Sequence, residues 1–304
     1  MNNYAAVGQI AVCRFPASDA PDTEFPGGIG LYALSGLLLS DPSSMLITGV
    51  GRDFDRYFGA WFERNEATRR GLKYRTDYCN RNEIRLGENG AVEEISVYGE
   101  VFHGVNYWES EIFARDLAPY LKGLKGLWTS GLWEDVYTDE MTEMRDREGF
   151  RLLWNCVPAQ QIGEDTAERI LKTAAAADIW SLGRGEGRKL FSAKVDSAVT
   201  EELRRLGKPC LYRAGTEGVY FISGNEMAYV PAVRSVGEQE REKLIGTGEC
   251  SSAAALAAFC EGKGPREICI CASVAAGFHN FCLGPIGEIS PEKFREATGL
   301  FSEN

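Results

Sequence analysis

From position 109 onward the chain alternates helical and extended patterns, and this limits the fold more than any other feature of its 304 residues. Helical periodicity at 109–121, 135–148 and 166–177 is interleaved with short apolar runs at 126–130, 150–155 and 178–181. Strands separated by helices of that length lie parallel in one sheet, and such sheets place their ligand sites at the strand carboxyl ends. Earlier in the chain, 5–12 reads as a buried strand ending at Gly8-Gln9 and 45–50 as a second strand. Positions 53–65, with Phe54, Tyr57, Phe58, Trp61 and Phe62 at helical spacing, read as an amphipathic helix. Later, 197–206 reads as helix, 209–213 as strand, 218–222 and 227–230 as a strand pair, and 251–261, 265–281 and 291–298 as helices. One stretch breaks the rule: 83–86 and 91–98 alternate apolar and polar residues around Gly87-Glu88-Asn89-Gly90, a hairpin signature that predicts a small sheet standing off the main one.

Composition excludes several function classes. A net charge of -11 repels nucleic acid and anionic membrane surfaces alike. No apolar run is long enough to span a bilayer, and Met1-Asn2-Asn3-Tyr4 lacks the regions of a signal peptide, so a cytoplasmic protein is expected. Nine scattered cysteines inside apolar runs read as reduced, buried thiols. Cys269 and Cys271, two apart in a predicted helix, do not share a face, so no structural zinc is assigned. Trp128, Trp133, Trp154 and Trp180 fall at or near predicted strand ends, where sheet core is the default reading.

The chemistry points to Gly246-Thr247-Gly248-Glu249-Cys250-Ser251-Ser252, which opens a helix of small residues. Free backbone N–H groups at a helix start favour an anion, and Glu249 beside them is placed to take a proton from an attacking hydroxyl. Taken alone, a glycine-led start to a buried helix is the commoner explanation of such a stretch.

Its surroundings resolve that choice. Gly8-Gln9, Gly27-Gly28, Gly49-Val50-Gly51-Arg52-Asp53, Arg213-Ala214-Gly215-Thr216-Glu217-Gly218, Ala272-Ser273-Val274-Ala275-Ala276-Gly277 and Leu283-Gly284-Pro285-Ile286-Gly287 occur in an order that resembles the ribokinase-like (PfkB) carbohydrate kinase family over nearly the whole chain. The resemblance implies an α/β three-layer sandwich with a mostly parallel central sheet, forming one domain over 1–304, with a small β-sheet lid from about 13–24 and 75–104. In the family such a lid often pairs with another subunit, so a homodimer through the lid is the partner this implies. It also implies ATP and magnesium, and a small sugar-like acceptor.

Carried over residue by residue, the resemblance makes Glu249 the base, with Gly246, Thr247 and Gly248 forming the anion cradle. Arg213, Gly215, Gly218 and Ser273 fall in the nucleotide site, Cys13, Gly27, Gly28 and Tyr32 in the acceptor site, and Glu186 at the magnesium position. Five positions depart from the family pattern. Cys13 stands where an acid holds sugar hydroxyls, Tyr32 and Gly183 stand where Asn is usual, Arg213 replaces Thr, and Glu249 replaces Asp. The added methylene at 249 displaces the carboxylate by about 1.5 Å, a shift that can cost on the order of a hundredfold in rate. Two readings follow: an ATP-dependent phosphotransferase for an unusual acceptor, or an impaired kinase-like protein that binds a nucleotide or small ligand.

Overall fold

The protein is described by a computed structural model covering residues 2–16, 24–86, 92–98, 110–233 and 242–302. Nine strands form the large sheet: β1 (Tyr4–Val7), β4 (Met45–Gly51), β5 (Leu72–Thr76), β8 (Gly126–Ser130), β9 (Arg151–Asn155), β10 (Ile179–Gly183), β11 (Cys210–Arg213), β12 (Gly218–Ser223) and β13 (Glu226–Pro231), ordered β13-β12-β11-β10-β9-β8-β1-β4-β5. All neighbours are parallel except β11 with β12 and β12 with β13. Helices cover both faces, which is why the parallel strands are apolar throughout rather than alternating.

One face packs α1 (Ile29–Ser40), α8 (Thr247–Cys260), α9 (Pro265–His279) and α10 (Pro291–Ser302). The other packs α3 (Ala114–Leu121), α4 (Asp135–Glu148), α5 (Glu164–Ala176) and α7 (Asp196–Leu206). A π-helical turn at Asp55–Gly59 leads into α2 (Ala60–Arg64), and α6 (Arg184–Leu190) follows β10 directly. Trp128, Trp154 and Trp180 are buried in the sheet core, where the latter two stack with ring centroids 6.4 Å apart, and Trp133 is buried beside them. The described residues contain no helix long and apolar enough to cross a membrane.

The second sheet, ordered β3-β2-β6-β7, consists of β3 (Phe25–Gly27), β2 (Ala11–Arg14), β6 (Asn80–Leu86) and β7 (Val92–Ser96). The β6–β7 pair realises the predicted hairpin, although its turn at 87–90 lies outside the described residues, as does Trp108.

Three expectations need correction. The single strand read at 5–12 is two: the amide of Gly30 donates to the Gln9 carbonyl at 2.9 Å, and this contact with α1 turns the chain out of the large sheet to seed the small one. The helix read at 109–121 is not continuous: Ser110 is helical, 111–113 are not, and Ala114–Leu121 starts afresh where the Asp116 carboxylate accepts the Phe113 N–H at 3.0 Å. Helix α6 had no counterpart among the expected elements, its pattern masked by Gly185 and Gly187; Glu186 closes its first turn by accepting the Gly183 N–H.

Candidate active site

The carboxyl ends of β9, β10 and β11 converge on the first turn of α8. Gly246 is the N-cap at φ 86°, a left-handed conformation that L side chains rarely adopt. A Cβ there would stand 2.3 Å from the ring of Tyr32, and one at Gly248 would stand 1.8 Å from Nη1 of Arg213. Gly246 is therefore required by its conformation and by the Tyr32 ring, while Gly248 leaves room for the Arg213 guanidinium in its present place. The tyrosine ring and the guanidinium flank the helix start from opposite elements, α1 and β11.

Arg213 organises one end of this site. Its Nε donates to Ser181 Oγ at 2.9 Å, and its Nη2 lies 3.3 Å from Asn155 Oδ1 and 3.4 Å from Glu186 Oε2. The other face of the Asn155 amide reaches Glu249, with Nδ2 3.5 Å from Oε1. Burial raises the Glu186 pKa, Arg213 and the Gly183 N–H oppose that rise, and Glu249 adds to it. Glu217, close to Arg213 in the chain, pairs with Arg184 at 2.7 Å. Glu186 is not a solvated loop carboxylate: its side chain is 19% exposed, and one oxygen is shared between a helix cap and a guanidinium.

The remaining nucleotide residues are placed unevenly. Gly215 lies in an exposed 3-10 turn, Gly215–Glu217, while Gly218 opens β12 against Val230 of β13. Ser273 is 4% exposed, donating to the Pro231 carbonyl at 2.8 Å and accepting from the Val233 N–H at 3.2 Å. Its hydroxyl is committed to the chain that leaves β13.

At the other end, Cys13, Gly27, Gly28 and Tyr32 come together where β2, β3 and α1 meet. A Cβ on Gly27 would lie 2.7 Å from both Cys13 Sγ and the Tyr32 hydroxyl, and Gly28 is the N-cap of α1. Tyr32 is 3% exposed, and among the described residues its hydroxyl makes no well-aligned hydrogen bond, although the Gly28 N–H lies close enough to oppose the rise of its pKa. Burial first, then Cys13, Glu94 and Glu249, push its pKa well above the usual phenol value. His279 meets the Tyr32 ring edge-on at 5.4 Å and bonds the Ile245 carbonyl through Nε2 at 2.6 Å. Burial lowers its pKa to about 4.

Sequence reasoning missed Asn155, Ser181, Asn82 and Glu94. The first two carried a usable signal, since each is a polar residue closing or interrupting an otherwise apolar parallel strand. Glu94 carried none, because a glutamate alternating along a hairpin reads as solvated strand.

No protein-family model matches the chain, and no curated protein matches it. Among solved structures it is similar to the adenosine kinase from Sinorhizobium meliloti, with 17% identity, 97% of this chain and 99% of that one covered, and a TM-score of 0.75. It is similar to a putative ribokinase II from E. coli in complex with ATP and magnesium, with 14% identity, 99% and 100% coverage, and a TM-score of 0.74. The Arabidopsis thaliana ribokinase complexed with ribose and ATP matches at 14% identity, 98% and 99% coverage, and a TM-score of 0.71. Two layers of helices on a mostly parallel sheet, a small second sheet and end-to-end superposition on these kinases establish that the chain has the ribokinase-like fold.

Proposed function

We propose that the protein is an ATP-dependent phosphotransferase acting on a hydroxyl of a small, sugar-like molecule. The observation that carries this reading is the placement of Arg213 against Gly248, beside the carboxylate of Glu249, at the first turn of a 14-residue helix. An anion at that turn meets free backbone N–H groups, the positive end of the helix dipole and a guanidinium together. ATP fits such a cradle through its terminal phosphates, and the similar structures that contain ATP or ADP support it as the donor.

In the reaction, Glu249 accepts the proton of the acceptor hydroxyl as that oxygen forms a bond to the γ-phosphorus. The bond from phosphorus to the bridging oxygen breaks, and its electron pair leaves with ADP. Charge on the transferred group is stabilised by the N–H groups of Thr247, Gly248 and Glu249 and by Arg213. Asn155 is a positioning residue: it touches Glu249 with its amide nitrogen and Arg213 with its amide oxygen, so base and cation are set by one side chain.

Magnesium supplies charge neutralisation when it accompanies a nucleotide, but Glu186 does not fit a seat for it. Its Oε2 is already engaged by the Gly183 N–H and by Arg213, and the adjacent guanidinium repels a second cation. We assign the positive charge at this position to Arg213, the residue that departs from the family pattern. A homodimer through the small sheet remains part of the proposal by analogy with the resemblance.

The test is ADP release across a panel of sugars, amino sugars and nucleosides, alongside thermal stabilisation by ATP with magnesium. Turnover abolished in Glu249→Gln with ATP stabilisation retained supports the base assignment. The impaired-kinase reading is favoured by one observation, that Tyr32 and Arg213 press into the cradle, and it wins if ATP stabilises the protein while no acceptor yields ADP.

A further inference from the structure

The small sheet segregates its charges by face. Strand alternation sends Arg14, Arg81, Glu83 and Arg85 to one side, where Arg14 meets Glu83 at 3.4 Å and Arg81 lies 4.7 Å over the Tyr57 ring. The opposite side, carrying Cys13, Asn82, Ile84 and Glu94, faces Ile245 and the start of α8. On that side Asn82, 8% exposed, donates through Nδ2 to Glu94 Oε2 at 2.8 Å and leaves its Oδ1 with no partner.

What gathers here is one sign of chemistry. Glu94 is exposed as a residue, yet its carboxylate is held by Asn82 on this inner side of the sheet and is coupled electrostatically to Tyr32 and Glu249. Partial loss of hydration raises its pKa, Asn82 opposes the rise, and Glu249 adds to it. Among the described residues no cation pairs with Glu94. The Asn82 amide gives one of its two N–H groups to Glu94, while its oxygen, like the free lone pairs of the carboxylate, needs a hydrogen atom that a ligand can bring. A neutral hydroxyl brings one and leaves two carboxylates facing each other. A protonated amine brings up to three and offsets their charge.

We propose that the acceptor is a polyhydroxylated amine, its ammonium group seated between Glu94 and the Asn82 Oδ1 and its reacting hydroxyl at Glu249. The position of the reacting hydroxyl rests on the phosphotransferase reading; the amine seat does not. A buried oxygen left without a donor carries a desolvation penalty that is relieved when such a ligand arrives. The competing reading, that Glu94 holds sugar hydroxyls, requires neutral sugars to bind as well as their amino counterparts.

The test is calorimetric binding at pH 7, without nucleotide, of D-glucosamine against D-glucose and of 1-amino-1-deoxy-D-fructose against D-fructose. At least one amine should bind on the order of ten- to a hundredfold more tightly than its neutral match, the margin of a charge-assisted hydrogen bond. Glu94→Gln, on the edge strand β7 of the small sheet, should fold normally by circular dichroism and erase that margin. Equal affinity within both pairs, no binding of either amine, or discrimination that survives in Glu94→Gln would each overturn the proposal. ADP release with ATP on the same sugars separates the two readings. Amine binding without ADP release overturns the phosphotransferase reading and leaves the amine seat standing, whereas stronger turnover of neutral sugars does the reverse.

Discussion

The two ends of the cleft are built on opposite terms. At the phosphate end each named polar group has a protein partner: Arg213 with Ser181, Asn155 and Glu186, and Glu186 with the Gly183 N–H. At the other end, among the described residues, the Asn82 oxygen and Nδ1 of His279 have none. The first end is preorganised and holds its geometry without ligand. The second carries unmet hydrogen-bonding capacity, and its remaining partners have to be supplied from outside. On the proposed reading, donor binding and acceptor selection can be perturbed separately, and the following outcomes sharpen or break that separation.

The largest effect is expected at the junction. Glu249→Gln should lower kcat by on the order of a hundredfold or more with little change in ATP affinity, read by ADP release and by titration of thermal stability. If ATP affinity falls as steeply as kcat, the two ends are not separable at Glu249. At the phosphate end, Arg213→Met removes the guanidinium from both the cradle and Glu186. Because the pair is partly screened, at 18% and 19% side-chain exposure, a stability loss of about 2 kcal/mol is expected rather than the full penalty of a buried orphan charge. Urea unfolding measures it. Glu186 has a raised folded pKa, so its contribution is fully present below its unfolded value of 4.5 and is lost as pH rises through the folded value. Losing the arginine raises that folded pKa further, so the Arg213→Met deficit should shrink as pH falls toward 4.5. A deficit independent of pH would show that Glu186 is not the group left unpaired.

At the acceptor end, His279 titrates in the opposite sense. Its pKa is depressed from 6.5 to about 4, so the neutral ring's contribution is present above pH 6.5 and is lost as pH falls toward 4. At pH 5 the difference amounts to about 2 kcal/mol. Comparing unfolding at pH 7 and pH 5 in the protein and in His279→Gln isolates it. An unchanged pH dependence in the variant would place the titration elsewhere. The smallest effect is expected from Ser273→Ala, which removes the bonds to Pro231 and Val233. It should cost about 1 kcal/mol and leave ATP affinity unaltered. Weaker ATP binding would return Ser273 to the nucleotide site.

Legibility in the sequence followed how local each feature is. Helix α4 appears at the 135–148 span read from periodicity, and β8 at 126–130, because both depend on neighbours within the element. Glu249 was found because a glycine-led helix start is a local signal. The Arg213 network was only half visible. The arginine stood out against the family pattern, but its partners come from β9, β10 and α6, separated from it by as many as 58 positions. The glycines were misjudged for the same reason. Gly246 and Gly248 seemed to have no packing purpose, yet they make room for Tyr32 and Arg213, residues distant in the chain.

Sequence alone thus determined the order of strands and helices, the parallel sheet they imply, and the position of an acid at the head of a small-residue helix. These rest on periodicity and backbone chemistry, which act over a few residues. Tertiary structure decided where the chain leaves one sheet for the other, which acid answers Arg213, and that a hairpin glutamate is held by Asn82 within electrostatic reach of Glu249. Those outcomes depend on distances between groups far apart in the chain, and electrostatic and packing energies are set by distance in space.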